Sequence, residues 1–538
     1  MDHSLEQEVH AWIADDPDPL TAAQLQQWVN AGNETELRAS FNGFLQFGTA
    51  GLRGPIRPGP SGMNRAVVGR AAAGIVAYMK ERNLTSVVIG RDARYGSEDF
   101  TFETAEIMSG AGIRVYILPR PLPTPVLAFA TNELKCDVGI MVTASHNPPQ
   151  DNGYKVYLGG TVDGIHYRGS QIVSPTDEAI ATKIDAVSSL KSQPRGKVWE
   201  VLGEEIVEKY VNRTASLAGN PGSLRIVYTA MHGVGTETIQ RVFQKAGFES
   251  PILVQAQAAP DPDFPTVAFP NPEEPGAINL ALETARSFDA HLVIANDPDA
   301  DRCAAAVNDP VTGWRMLRGD ELGAIFAESI ARKIDSGIFA NSIVSSSIVK
   351  KIADHYNLEF KETLTGFKWL AKIENLTFGY EEALGYSVDS ATVNDKDGVS
   401  AAIKLVQIAS DLAAQGKTLL DLLDEVWARH GFHATEQISI RLSDLSKVGV
   451  ILGGLRSNPP KEIAGRSVTS IDDLATPTDG LPPTDGIRIW LDGGVRIIIR
   501  PSGTEAKMKC YIEAIERDSK AAQVVLDQLR PPLKELLS

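Results

Sequence analysis

Cysteine is scarce in this sequence: Cys136, Cys303 and Cys510 are the only three among 538 residues. They are odd in number, far apart and without metal-type spacing, which excludes a disulfide-stapled scaffold and suits a reducing cytoplasm. Long apolar runs are missing too, and none approaches the roughly 20 residues a membrane-spanning helix needs. The opening MDHSLEQEVHAW has no basic flank leading into an apolar core, so no secretory signal is expected there. Positive charge is the third shortage. Lys and Arg number 52 against 68 Asp and Glu, a formal net charge of -16. Such a surface repels nucleic acid and acidic membranes, so neither is expected as a partner. A small phosphate ester would bind only where Arg and Lys locally reverse the field. A cytoplasmic protein acting on small molecules is expected, as a monomer or homodimer.

What is present begins with size. A chain of 538 residues is too long for one hydrophobic core, so several domains are expected. An apolar fraction of 43% beside 22% charged residues is ordinary for a globular enzyme. Residues 4–44 read as an acidic helical preface, broken at Asp16-Pro17-Asp18-Pro19 and Ala31-Gly32-Asn33. The Gly-rich FGTAGLRGPIRPGPSG that starts at Phe47 is expected to be neither helix nor strand. Beyond it, helical stretches at 65–82 and 102–111 alternate with short apolar strands at 86–90 and 114–118. That alternation predicts βαβ units and a largely parallel sheet. The pattern restarts twice, with strands at 224–228 and 291–295 and helices at 322–334 and 400–414, which puts seams near Tyr210 and Asp320. The last hundred residues change character: strands at 437–442, 486–491, 495–499 and 507–514 accompany a helix near 445–455. Residues 472–485, rich in Pro, Thr and Asp, read as a solvated loop. The expected division is a helical extension (1–45), three related α/β domains (46–210, 211–319, 320–430) and a smaller C-terminal α+β domain (431–538).

Three short constellations carry chemistry. In VTASHNPPQDNGYKVY, an apolar run ends at Ser145 with His146 beside it, and Lys155 follows past a Pro-Pro and Asp-Asn-Gly turn. A buried strand would deliver that serine to the carboxyl edge of a sheet, where α/β proteins keep reactive groups. The context is not the G-x-S-x-G elbow of a hydrolase. In NDPDADR, Asp297, Asp299 and Asp301 follow a strand directly. Alternation in an extended segment points all three carboxylates one way, and clustered hard oxygens favour Mg2+. A solvated acidic turn is the plain alternative. A calcium EF-hand loop fails on position, since Arg302 and Asn308 stand where it needs Gly and Glu. In RPSGT, Arg500 offers a bidentate fork, Ser502 and Thr504 hydroxyls, and Gly503 a tight turn with converging N–H groups, which together suit a phosphate. Arg53 in the Gly-rich loop offers a further planar cation. Between these constellations, Thr365-Gly366-Phe367-Lys368 and the adjacent Glu381 and Glu382 could meet sugar hydroxyls, and Lys396 is a weaker candidate. A serine nucleophile, a metal cluster and a separate anion clamp point to phosphoryl transfer.

These segments, in this order from about 47 to 514, resemble the α-D-phosphohexomutase family of phosphoglucomutases, phosphomannomutases and phosphopentomutases. The resemblance implies an α/β fold of three related domains and a smaller α+β fourth around a central cleft. It implies that Ser145 carries the phosphoryl group and that Asp297, Asp299 and Asp301 hold Mg2+ with it. Arg53 and Lys155, with His146 beside them, match positions that handle protons and reacting-phosphate charge. Arg302, Thr365 and Lys396 match substrate contacts, in a substrate-binding set with Gly366, Lys368 and Glu382, and Glu381 matches the sugar-hydroxyl acceptor. Arg500, Ser502, Gly503 and Thr504 match the clamp for the non-reacting phosphate. The implied reaction moves phosphate between the 1- and 6-positions of a hexose through a sugar 1,6-bisphosphate, which also serves as activator. Two departures bear on substrate: Ala383 replaces the serine usual in glucose-directed relatives, and GYEEALGY and DKDG resemble the branch that includes phosphopentomutases. A ribose phosphate mutase and a metal-dependent sugar phosphatase are the alternatives.

Overall fold

Short β-branched runs that are apolar on both faces are stable only when helices cover both sides of a sheet, and this chain builds its sheets around such runs. The computed structural model describes residues 3–442, 444, 446–501 and 507–537. Contacts group the chain into two units. The first holds Met1–Leu317, Ala371–Asn375 and Ala383–Ala414; the second holds Arg318–Leu370, Leu376–Glu382 and Gln415–Ser538.

In the first unit, one sheet runs in the order Leu52–Pro55, Asp151–Leu158, Val138–Val142, Ser86–Arg91, Arg114–Ile117, Glu200–Val201. Its first two joints are antiparallel and the rest parallel. Helices Ser97–Gly110 and Thr124–Glu133 bury apolar faces on it, and Arg65–Glu81, buried over most of its length, packs on Ser97–Gly110. A second sheet orders Ile252–Leu253, Ile226–Thr229, Leu292–Ala295, Ala304–Asp309 and Gly313–Met316, parallel at first and antiparallel after Leu292–Ala295. The N-terminal helices His3–Asp15, Pro19–Asn30 and Glu34–Ser40 break where Asp18 and Asn33 cap the second and third. They share a small core of Leu5, Val9, Leu25, Leu37 and Phe41.

In the second unit, Glu359–Thr363, Ile338–Ser342 and Leu376–Glu381 pair in parallel. A six-stranded sheet, antiparallel throughout, runs Phe432–Arg441, Lys507–Glu516, Val495–Pro501, Ile487–Leu491, Arg466–Asp473, Glu462–Ile463. Helices Ser446–Ser457 and Ser519–Leu536 add Leu452, Leu455, Leu526 and Leu529 to its core. Mixed, largely parallel α/β sheets and a C-terminal α+β domain are thus the architecture.

Several local expectations are overturned. The Gly-rich segment contains a strand, Leu52–Pro55, because Gly51 and Gly153 let two backbones approach where a side chain would collide: a Cβ on Gly51 would lie 1.8 Å from the Tyr154 carbonyl oxygen and one on Gly153 2.5 Å from that of Thr143. Asp-Asn-Gly is not a turn before Lys155 but the start of the long strand Asp151–Leu158. Residues 472–485 are not simply solvated, since Arg488 holds Asp472 and Asp479 at 2.9 and 2.6 Å, and Arg456 holds Asp473 and Asp485 at 3.0 and 2.7 Å. Helix Gly398–Ala413 packs on Glu205–Ala215 and Gly235–Ala246. Its buried residues, among them Val399, Ile403, Leu405 and Val406, leave it no solvated face wide enough to lie on one sheet alone.

Candidate active site

Ser145 leaves strand Val138–Val142 in a left-handed backbone conformation, φ 53°, which costs a non-glycine residue about 1–3 kcal/mol. Its N–H donates to Thr143 Oγ1 at 2.9 Å, so the bend is paid for locally. Its hydroxyl is 3% exposed and donates to Asp297 Oδ2 at 2.9 Å, with His146 Nδ1 at 3.2 Å. The aspartates follow strand Leu292–Ala295, but they do not converge through extended alternation. The chain turns tightly there, with Ala300 at φ 53° and its N–H donating to the Asp297 carbonyl at 2.8 Å. Gly233 admits this turn: a Cβ on it would stand 2.3 Å from Pro298.

All three carboxylates are fully buried, and one oxygen of each lies within 4.8 Å of the others. Lys155 Nζ donates to Asp299 Oδ2 at 2.7 Å and Asp301 Oδ2 at 2.8 Å, and Lys396 Nζ reaches Asp301 Oδ2 at 3.0 Å. Burial would push the Lys155 ammonium down, yet Asp299 and Asp301 hold it above its ordinary value. Burial likewise opposes ionisation of Asp299 and Asp301, but the lysines win and both titrate below the usual carboxylate range. Asp297 goes the other way: burial, then its two aspartate neighbours, raise it well above that range. Lys155 and Lys396 thus pair with Asp299 and Asp301, and among the described residues no ammonium group forms an ion pair with Asp297. Asp299 Oδ1 and Asp301 Oδ1 are buried without a hydrogen-bond partner. Those two oxygens, Asp297 and Ser145 Oγ form a hard-oxygen donor set that fits a divalent metal ion.

Around this cluster stand the remaining cations. Arg53 donates to Asn147 Oδ1 at 3.4 Å, and its buried Nε has no partner. Burial lowers its pKa against the pull of Asp299. Arg302 donates its backbone N–H to Asp297 Oδ1 at 3.1 Å, its guanidinium lies 3.7 Å from Glu273, and its buried Nε has no partner. Burial opposes its charge, but Asp297 and Asp301 raise its pKa. His146 is pushed well below the ordinary imidazole value by burial, then by Arg302 and Arg53, so it is neutral at pH 7. In the first unit the fold therefore brings together Ser145, His146, Lys155, Arg53, Asp297, Asp299, Asp301, Arg302 and Lys396.

The other candidates lie in the second unit. Glu381, at the end of strand Leu376–Glu381, accepts the Gly366 N–H at 2.6 Å, so the two expected sugar loops meet. Thr365 Oγ1 is buried without a partner, and Lys368 lies on the short helix Phe367–Leu370. Glu382 accepts the hydroxyls of Ser345 at 2.8 Å and Ser342 at 3.2 Å. Arg500 sits near the end of strand Val495–Pro501 with its Nε buried and without a partner. Ser502, Gly503 and Thr504 lie outside the described residues.

Sequence reasoning missed Thr124, Arg94 and Asn147. Thr124 Oγ1 donates to Asp299 Oδ2 at 2.6 Å and its N–H to the Asp299 carbonyl at 2.9 Å. Its signal was Thr-Pro at a helix start, at the end of a strand-to-helix connection. Arg94 follows the Arg91-Asp92 strand end two residues on, a place where polar side chains face the carboxyl edge of the sheet.

Comparison with known proteins agrees with this geometry. Residues 45–190, 205–313, 318–430 and 455–529 match in turn the phosphoglucomutase/phosphomannomutase alpha/beta/alpha domains I, II and III and C-terminal domain. The chain belongs to the phosphoglucomutase/phosphomannomutase family. It is 47% identical over 483 residues to a Haemophilus influenzae protein named as a probable phosphomannomutase, covering 88% of this chain and 98% of that one. It is 33% identical over 574 residues to the phosphopentomutase of Mus musculus, covering 95% and 90%. Its fold is similar to that of a phosphoglucomutase/phosphomannomutase family protein from Burkholderia thailandensis, with TM-score 0.72, 19% identity and coverage of 91% and 97%. No helix among the described residues is long and apolar enough to cross a membrane.

Proposed function

We propose that this chain is a phosphosugar mutase, an isomerase that moves a phosphoryl group reversibly between the 1- and 6-positions of a hexose, glucose or mannose 1-phosphate to the 6-phosphate. The observation that carries this reading is the Ser145 hydroxyl 2.9 Å from Asp297, inside a buried cluster of three carboxylates and two lysines. The Haemophilus influenzae relative's name supports a hexose substrate. Mg2+ is the cation we assign to Asp297, Asp299, Asp301 and Ser145; bound there, it supplies neutralisation of charge on the transferring phosphoryl oxygens.

The residues act as follows in this reading. Phospho-Ser145 meets the free hydroxyl of the sugar phosphate; the P–Oγ bond breaks as the sugar O–P bond forms, giving a sugar 1,6-bisphosphate. His146, kept neutral by burial and then by the cations beside it, takes the proton that the hydroxyl sheds. Lys155 and Arg53 offset the charge of the reacting phosphate, and Arg302 and Lys396 orient the sugar phosphate beside them. The bisphosphate then turns round, and Ser145 takes back the other phosphoryl group while the proton returns. Glu381, with Thr365, Gly366, Lys368 and Glu382 around it, serves sugar hydroxyls. Arg500, Ser502, Gly503 and Thr504 hold whichever phosphate is not reacting. The sugar bisphosphate is thus both intermediate and activator. We retain the division at 46–210, 211–319, 320–430 and 431–538 as the domain reading, with a monomer or homodimer in the cytoplasm as its setting.

A second reading, a mutase of ribose 1- and 5-phosphates, is favoured by Ala383 and by the Mus musculus relative. The test is a panel of glucose, mannose and ribose 1-phosphates, each primed with the matching bisphosphate, on wild type and Ser145→Ala. Isomer formation with conserved total organic phosphate is expected, and it is lost in Ser145→Ala. Inorganic phosphate released without isomer sinks the mutase reading and leaves a phosphatase.

A further inference from the structure

Four backbone carbonyls around Ser145 converge on one side chain that the chemistry above does not use. Arg94 Nη2 donates to the carbonyls of Ser145 at 2.7 Å and Asn147 at 2.6 Å; Nη1 donates to those of Pro148 at 2.8 Å and Asp151 at 3.1 Å. Arg94 is 5% exposed, and Asp92 lies 3.4 Å from its Nε as an ion pair. Asp92 is itself pinned by the Arg94 N–H at 3.0 Å and the Ser97 hydroxyl at 2.8 Å, so the guanidinium has little freedom to swing. Its other face rests 4.9 Å from the ring centroid of Phe264. That phenylalanine packs with Met231, two residues before Gly233, against which the aspartate loop turns.

Arg94 therefore touches both halves of the site. One fork fixes the backbone of the nucleophile loop, including Asn147, whose side chain receives Arg53. The ring contact docks that loop on the domain that carries Asp297, Asp299 and Asp301. A carbonyl cannot donate, so four of them pointing inward require a donor with several N–H groups in one plane. Guanidinium meets that need and an ammonium does not. Tyr95 adds a second tie between the same segments, its hydroxyl donating to Asp263 at 3.1 Å.

We propose that Arg94 is a positioning residue for phosphoryl transfer: it holds Ser145 in its left-handed bend and sets the distance between the Ser145 hydroxyl and the aspartate cluster. The inference rests on the mutase reading, and it assigns Arg94 no contact with substrate. A misplacement of about 1 Å in a reacting group costs on the order of 100-fold in rate.

The experiment is single-turnover labelling of the full chain with 32P-labelled glucose 1,6-bisphosphate, beside steady-state turnover of glucose 1-phosphate. Wild type, Ser145→Ala, Arg94→Met, Arg94→Lys and Phe264→Leu are compared. For Arg94→Met we expect the labelling rate and kcat to fall together by about 100-fold. KM should stay within about threefold, and labelling should still reach the wild-type end-point per chain. Arg94→Lys, which keeps the charge and reaches only part of the carbonyl set, should fall between the two. Phe264→Leu should slow labelling by a few fold with the end-point intact.

A reduced end-point with an unchanged rate in Arg94→Met would mean that some chains misfold and the rest react normally, which overturns the inference. So would a raised KM with kcat preserved. If Arg94→Met does not fold, labelling of Arg94→Lys and Phe264→Leu at the wild-type rate overturns it by itself. Absence of label on wild type, as on Ser145→Ala, would instead sink the hexose mutase reading.

Discussion

Asp299→Asn changes one oxygen for one nitrogen in the centre of the site, so its effects separate charge from shape. Asp299 Oδ2 accepts Thr124 Oγ1 at 2.6 Å and Lys155 Nζ at 2.7 Å, while its buried Oδ1 has no partner. Two unit charges about 4 Å apart in a partly polar interior interact by about 4 kcal/mol. The asparagine deprives Lys155 of one such attraction, but it also removes the repulsion of Asp299 on Asp297 and Asp301, which act on each other over similar distances. The lost attraction is offset by the relieved repulsions, so the chain should keep its fold and its stability within about 1–2 kcal/mol. A divalent ion has no such compensation. It loses about 8 kcal/mol of gross attraction, and if recovered solvation offsets half, the remaining 4 kcal/mol is roughly a 1,000-fold weaker metal affinity. The assay is coupled turnover of glucose 1-phosphate at rising Mg2+, with circular dichroism melts alongside. We expect a metal requirement shifted beyond ordinary millimolar concentrations and turnover at 1 mM Mg2+ down by at least about 100-fold. Normal turnover with an unchanged Mg2+ requirement would refute the donor-set reasoning.

Lys155→Met takes from buried Asp299 its lysine partner and leaves Asp301 paired with Lys396, so it should cost about 3–5 kcal/mol of stability as well as activity; an unchanged urea midpoint contradicts the pairing. Arg500→Ala should raise KM about tenfold or more with kcat nearly preserved, as loss of a charged hydrogen bond used in both ground and transition states requires, and an unaltered KM counts against a clamp. Burial, opposed by the N–H groups of Val399 and Ser400 and by Tyr210, raises the Asp397 carboxyl from 3.8 to about 6. The folded chain then holds a proton there that the unfolded chain has released, so stability falls as pH rises from about 4 through 6, by up to about 3 kcal/mol. Asp397→Asn should remove that loss: it should melt later than wild type at pH 7.5 and similarly at pH 4, whereas equal melting at both pH values would disprove it.

Much of this protein follows from the sequence alone. Apolar runs such as 86–91, 138–142 and 292–295 have no choice but to become buried strands, and polar residues at their carboxyl ends must then lie on a sheet edge. Ser145, the aspartate triplet and their chemistry were legible for that reason, because local patterning and residue type carry the information. What tertiary structure alone decided is how distant pieces meet. That Lys155 bridges Asp299 and Asp301 depends on a strand whose glycines permit close pairing, and on a domain packed beside it. That the aspartates converge by a left-handed turn at Ala300, not by alternation, depends on Gly233 making room. Helix Gly398–Ala413 follows the strands of the third domain in sequence, and its largely buried surface finds cover on Glu205–Ala215 and Gly235–Ala246. Arg94 and Thr124 carried no motif strong enough to stand out; their partners are backbone carbonyls and a carboxylate supplied from elsewhere in the chain. Hydrophobic period and turn chemistry act over a few residues, so a sequence displays them openly. Hydrogen bonds between segments 51 to 224 residues apart are created only when the cores dock, and no local pattern encodes them.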